Sequence, residues 1–317
     1  MPENFLNEVC GKETGNYPPI DIVFLNYNRL SETKYTLKAL LECKAHYKNI
    51  QIIAVDNAST DGTREYLKGV SEEIQVILLD ENQGIGGYNI GFERCKGEYI
   101  IVLDDDSHVL PSTIERLVRV FERDSTIGLI AFKVIDNEGR RFKTWHIPSD
   151  DRFQDSFAFV GCGFAVKRDV FRSIGYYPAE FFLYHNEIEV SLKTKMKGYR
   201  VVYDPECVAV HRTEGVSRNP ERRVYFTLKN SLFLIWKYYP LWMAIYLSAS
   251  RILISMALAL YHFRLGDFYR AIKDFLNNLP ERSPLTFERC RELLGPFTRH
   301  NSIIHRITGL FRGEGVK

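Results

Sequence analysis

The sequence predicts an α/β protein, with a mostly parallel central sheet flanked by helices and a helical C-terminal extension. Three observations carry this. Over roughly the first 110 residues, short apolar runs alternate with segments of helical spacing, the order that builds parallel sheets through right-handed crossovers. Each apolar run ends in a polar, turn-rich segment, so the loops collect at one sheet edge. One run, Ile100-Ile101-Val102-Leu103, is continuously apolar like a strand buried on both faces, and it leads straight into Asp104-Asp105-Asp106.

Taken in order, Ile20 to Leu25 reads as the first strand and ends in Asn26-Tyr27-Asn28-Arg29. Ser31 to Lys44 has helical spacing, with Leu37, Leu40 and Leu41 on one face. Ile50 to Val55 is a second strand, followed by Asp56-Asn57-Ala58-Ser59-Thr60-Asp61-Gly62-Thr63 and a helix to Val70. Ile74 to Leu79 is a third, and the Gly-rich run Glu81 to Asn89 leads into a helix through Cys95. No G-x-G-x-x-G precedes the first helix, which argues against a dinucleotide-binding dehydrogenase.

Three adjacent carboxylates repel one another and are not buried without partners. At the carboxyl end of a buried strand, where α/β sheets place ligands, a divalent cation carrying a phosphate is the natural partner. The plainer alternative is an acidic turn capping a helix that begins near Pro111.

Further on, Phe159 to Val166 is rich in small residues around Gly161-Cys162-Gly163, where a backbone could approach a ligand closely. A helix beginning near Tyr184 would point Glu187 and Glu189 about 200° apart, so that at most one faces a given pocket. Gly198 ends that helix. Val201 to Tyr203 is a short strand, and the chain then reaches His211, a structural or a ligating histidine on its own evidence.

Composition sets outer limits. The chain has 317 residues, 45% hydrophobic and 26% charged, with a net charge of +2, so nothing argues for nucleic acid as a partner. Six cysteines without a C-x-x-C pair argue against a disulfide framework or zinc site and fit a reducing, cytoplasmic setting. Met1 to Tyr17 is polar, without the apolar core of a secretory signal.

Together these motifs resemble glycosyltransferase family 2, inverting nucleotide-sugar enzymes of the GT-A fold, from about Ile20 to His211. The resemblance implies a catalytic domain over 19–223, its nucleotide half about 19–110 and its acceptor half about 111–223, behind an N-terminal extension of 1–18. By carry-over, Asn26 and Tyr27 would line the base, Asp56 would hydrogen-bond the pyrimidine, and Asn57, Asn82, Gly84 and Asn89 would shape the donor site. Asp104-Asp105-Asp106 resembles the D-x-D motif: Asp104 near ribose and metal, Asp105 beside the donor, Asp106 binding Mn²⁺ or Mg²⁺ directly, with His211 a further metal ligand. The family's acidic pair reads Asn186-Glu187 here. Glu187 would be the general base, with Glu189 the alternative, and Gly161, Cys162 and Gly163 would form part of the acceptor wall. Arg212 and Arg218 would cover the phosphates. The implied activity is transfer from a UDP- or dTDP-sugar to a glycan or lipid-linked acceptor for cell-surface polysaccharide, of rhamnosyl- or galactofuranosyl-type. A catalytically impaired nucleotide-sugar-binding relative is the alternative, supported by the Asn186-Glu187 departure. A nucleotidyltransferase ranks last, for want of a basic, Gly-rich triphosphate loop.

Residues 224–317 change character. Leu241 to Phe263 is 23 residues with one charge, Arg251, long enough to cross a bilayer but weakened by that arginine and three serines. A helix packed on the catalytic domain or in a dimer interface, an interfacial helix on the cytoplasmic face of a membrane, and a true span all remain open.

Overall fold

A computed structural model describes residues 18–212 and 220–311. Four strands form the first half: β1 (Ile20–Asn26), β2 (Ile50–Asp56), β3 (Gln75–Leu78) and β4 (Tyr99–Asp104). They pair in parallel in the order β3-β2-β1-β4, connected by α1 (Leu30–His46), α2 (Thr63–Gly69) and α3 (Gly87–Phe92). Ile20, Ile22 and Phe24 of β1 meet α1 residues Leu37 and Leu40 on one face. Val23 meets Tyr88 and Phe92 of α3 on the other, as the two-residue period of a strand requires.

The acid triplet does not cap a helix. After Asp104 the chain turns into β5 (Ser107–Val109), and α4 (Pro111–Arg123) begins beyond it. The strands that follow are β6 (Ile127–Ile135), β7 (Gln154–Asp155) and β8 (Phe164–Lys167). Then come α5 (Arg168–Ser173), α6 (Asn186–Met196) and β9 (Arg200–His211). β8 enters antiparallel between β4 and β6, while β9 runs parallel to β6 and antiparallel to β5 and β7. The complete sheet is therefore mixed: β3-β2-β1-β4 is wholly parallel, and the second half combines the parallel β6–β9 pair with antiparallel neighbours.

β9 is longer than the expected strand at Val201–Tyr203. Pro205 does not end it, because the register skips from Phe132↔Asp204 to Lys133↔Val208. The residues between leave the ladder as a bulge, where a missing N–H costs little. That bulge lets one strand run from Arg200 to His211 and reach the acid triplet.

The C-terminal region is helical, as expected: α7 (Pro220–Tyr238), α8 (Leu241–Tyr261), α9 (Leu265–Asn277), α10 (Phe287–Asn301) and α11 (Ile303–Phe311). It shares a core with the sheet. Leu234, Ile235, Tyr238, Leu247, Leu293 and Phe297 join the cluster containing Val102, Phe164 and Ile188.

Candidate functional site

The carboxyl ends of β4 and β9 build the centre of the site. Ser107 pairs with His211 across β5 and β9, and the Arg212 amide donates to Asp106 O at 2.9 Å. This register brings the His211 ring to the triplet: Nε2 lies 3.1 Å from Asp106 Oδ1. Ser107 Oγ accepts from the Asp104 amide at 2.8 Å and fixes the turn.

The three carboxylates have separate surroundings. Asp104 is partly exposed to the cleft, and the Tyr88 hydroxyl donates to its Oδ1 at 2.7 Å. Burial and the Asp106 charge raise its pKa. Asp105 is buried, accepts from the Tyr27 amide at 3.2 Å, and lies 3.4 Å from an Arg29 nitrogen. Burial and Asp106 push it up to about 7. Asp106 is 1% exposed and is paired with Arg29 as well as His211. Burial alone would raise Asp106, but those two cations hold it below the usual carboxylate range. Burial works against a charged His211, yet Asp106 and Asp104 outweigh it and raise its pKa.

This donor set suits a hard divalent ion. Asp106 Oδ1 is buried without a well-formed hydrogen bond, despite its approach to His211. Ligand atoms of Asp104, Cys162 and His211 lie within 4.8 Å of one another. Two carboxylates and an imidazole fit Mn²⁺ or Mg²⁺. Burial, then Asp104 and Asp106, drive the Cys162 thiol well above its ordinary pKa in the metal-free site, and sulfur is a softer ligand than such an ion prefers.

Glu187 and Glu189 diverge as the helical period requires. Glu187, in the first turn of α6, lines a cleft of about 2020 Å³ together with Asp104, Gly161, Cys162 and His211. Two successive left-handed residues, Tyr184 and His185, aim the helix start. Burial and the Asp104 charge push the Glu187 carboxyl up to about 7. A Cβ on Gly161 would stand 3.3 Å from Glu187 Oε1, so this glycine leaves the carboxylate room. Glu189 points away from the cleft, with Lys237 Nζ at 2.8 Å and Tyr238 Oη at 2.7 Å from its Oε1. It ties α6 to α7.

Gly163 departs from the expected acceptor wall. A Cβ there would lie 2.7 Å from Ala209 Cβ, so the glycine serves strand packing. Asn26 departs as well. Its amide donates to Val55 O at 3.1 Å and accepts from Thr33 at 2.9 Å, locking β1 to β2 and α1. Tyr27, by contrast, is 40% exposed beside the triplet. Asp56 is buried, with Oδ2 3.3 Å from Arg64 and Oδ1 lacking a hydrogen-bond partner. Asn57 holds the Gly-rich loop, donating to Asn82 Oδ1 and Gly84 O, each at 3.0 Å. Asn89 exchanges two hydrogen bonds with the Tyr177 backbone, at 3.0 and 3.1 Å.

Arg212 is not poised over a phosphate. It is buried between Glu32 and Thr36, at 2.8 and 2.6 Å, and bonds the Asp105 carbonyl at 3.3 Å. Arg218 lies outside the described residues. The sequence reading missed Tyr88 as a holder of Asp104 and Arg29 as the counter-ion of the triplet. The tyrosine stands in the Gly-rich run and Arg29 directly follows Asn28, so both positions were visible but their partners were not.

The fold is of the GT-A class. The chain belongs to glycosyl transferase family 2, whose model matches residues 21–190. It is 26% identical over 153 residues to the putative teichuronic acid biosynthesis glycosyltransferase TuaG of Bacillus subtilis (strain 168), covering 46% of this chain and 60% of that one. It is 30% identical over 130 residues to the undecaprenyl-phosphate 4-deoxy-4-formamido-L-arabinose transferase of Pseudomonas savastanoi pv. phaseolicola (strain 1448A / Race 6), 39% of each chain. Among solved structures, GalNAc-T7 with UDP, GalNAc and Mn²⁺ superposes with a TM-score of 0.60 at 18% identity, over 85% of this chain and 60% of that one. The chain thus spans less than two thirds of the length of these relatives.

Proposed function

We propose that the chain is a metal-dependent, inverting glycosyltransferase. It moves a sugar from a UDP- or dTDP-sugar to a hydroxyl of a glycan or lipid-linked acceptor in cell-surface polysaccharide synthesis. The observation that carries this reading is the convergence of Asp104, His211 and Glu187 on one cleft, with the buried Asp106 directly behind His211. The names of the relatives favour envelope glycans and a lipid-linked acceptor.

Asp104, Asp106 and His211 would hold Mn²⁺ or Mg²⁺. Such an ion, when bound, supplies neutralising charge to a departing nucleoside diphosphate. The orphaned Asp56 Oδ1 would accept from the pyrimidine ring and the exposed Tyr27 ring would lie against it, placing the anomeric carbon. An acceptor hydroxyl has a very high pKa and must lose its proton as it attacks, and Glu187 would take it. A single displacement from the face opposite the leaving group inverts the anomeric centre.

Calorimetric binding of UDP and dTDP, with and without Mn²⁺, to the wild type and to Asp106→Asn is the first test. Binding that requires both metal and Asp106 is expected. Metal-independent binding, or none, overturns the assignment.

A further inference from the structure

The cleft that contains Asp104, Glu187 and His211 continues past them. It runs by Arg222 and Arg223 at the start of α7 to Arg251 on α8 and Arg306 on α11. Among the described residues, none of these four arginines has a carboxylate ion-pair partner. Arg251 is only 5% exposed, and its Nε has no hydrogen-bond partner. Burial, and then the charges of Arg306 and Arg223, push its pKa down to about 9. A buried guanidinium held near two like charges is costly unless an anion joins it. Among the described residues the histidines at this end supply no negative charge, although Arg306 donates to the His300 carbonyl at 2.9 Å. His146, His185 and His300 are all held neutral, chiefly by burial.

The second observation concerns α8 itself. Its inner side buries Ser250, Arg251 and Ser255 among Met243, Ala244, Leu247 and Ala259, while Trp242, Ile245, Ala249, Leu253, Ala257 and Leu260 are exposed on the outer side. A water-facing helix carries polar residues on that outer side. The outer row is about 27 Å long at the helical rise. It meets the cleft at Leu253, Ala257 and Tyr261, which also line the cleft beside Arg251. An apolar track thus ends at a cluster of arginines that, among the described residues, have no carboxylate partner.

We propose that Arg223, Arg251 and Arg306 seat the phosphate or diphosphate of a lipid-linked acceptor. Its aliphatic chain leaves over Leu253 and Tyr261 onto the outer row of α8, and its sugar hydroxyl lies toward Glu187. Guanidinium groups match phosphate oxygens in fork geometry, and a chain laid along the apolar row gains hydrophobic contact. The inference rests on the glycosyltransferase reading and adds the acceptor's chemical class and its anchoring residues.

The test is calorimetric binding of farnesyl diphosphate, inorganic diphosphate and farnesol to the full chain, with EDTA keeping the metal site empty. Farnesyl diphosphate should bind at least about tenfold more tightly than either of the others, and R223Q and R306Q should each weaken it by about tenfold. The melting temperature of ligand-free R223Q should hold or rise, because repulsion around Arg251 is relieved, whereas R306Q also loses the Arg306 bond to the His300 carbonyl and is read by affinity alone. Unchanged affinity in both variants overturns the seat, and so does a fall in the melting temperature of R223Q with binding intact. Equal affinity for farnesyl diphosphate and inorganic diphosphate overturns the lipid, leaving a site for free anions. Failure of the donor reading appears separately, as absent binding of UDP and dTDP to a wild-type protein that still binds farnesyl diphosphate.

Discussion

The hydroxyl of Tyr88 donates to Asp104 Oδ1 at 2.7 Å and stands 2.7 Å from the Leu103 carbonyl. A residue of the Gly-rich segment thereby orients a carboxylate at the end of the central strand. Groups that hold metal ligands in place commonly change metal affinity by about 10- to 100-fold. Tyr88→Phe should weaken Mn²⁺-dependent UDP binding by that order and leave the melting temperature nearly unchanged, since the ring keeps its packing against Phe92 and Tyr177. A metal titration followed by calorimetry reads both.

Glu187 and Glu189 separate chemistry from architecture. Glu187→Gln should lower turnover by about 100- to 10,000-fold, the range of a lost general base, while donor affinity persists. Glu189→Gln should act through stability, because it breaks the ties to Lys193, Lys237 and Tyr238. Steady-state rates and melting curves on both variants suffice. A dead, fully stable Glu189→Gln would reassign the base.

Glu187 also predicts a pH dependence with a definite sign. Its carboxyl is pushed up to about 7 in the folded protein, above the ordinary value of 4.5. A base must be ionised, so the rate should fall about tenfold per unit as pH drops below 7. Stability runs the other way. Between 4.5 and about 7 the folded state binds more protons than the unfolded one, so this group's contribution is present at low pH and is lost as pH rises. The difference in melting temperature between Glu187→Gln and the metal-free wild type should therefore widen from pH 5 to pH 8. A constant difference would show that Glu187 has an ordinary pKa.

The first, parallel half of the fold was legible because each strand is a mostly apolar run with a polar loop after it. The second half was not. β6 lies between β8 and β9, and that placement depends on pairing across distant segments, which no local period announces. In the site, the triplet stood out as chemistry that a core would reject, whereas His211 became a ligand candidate only through the family resemblance. The asparagines were harder to read. An amide suits a ligand and a backbone equally, and here Asn26, Asn57 and Asn89 all serve backbone. Arg251 looked like a flaw in an apolar helix until the fold placed it on the cleft wall.

Gly84 provides the last prediction, because it joins the two halves of the site. Its φ is +56°, a left-handed conformation, and a Cβ there would lie 2.2 Å from the Phe182 carbonyl oxygen. That carbonyl accepts from the Ile85 amide at 3.0 Å, so the Gly-rich loop is stitched to the segment that leads into α6 and Glu187. The conformation alone costs a residue with a side chain about 1–3 kcal/mol, and the clash is with backbone, which cannot swing aside. Gly84→Ala should therefore lower the melting temperature. It should also depress kcat more than metal-dependent UDP binding, because the stitch holds Glu187 while Asp104, Asp106 and His211 are held by β4, β5 and β9. Paired measurement of kcat and UDP affinity decides the matter. Equal loss of both would mean that the loop positions the donor and not the base.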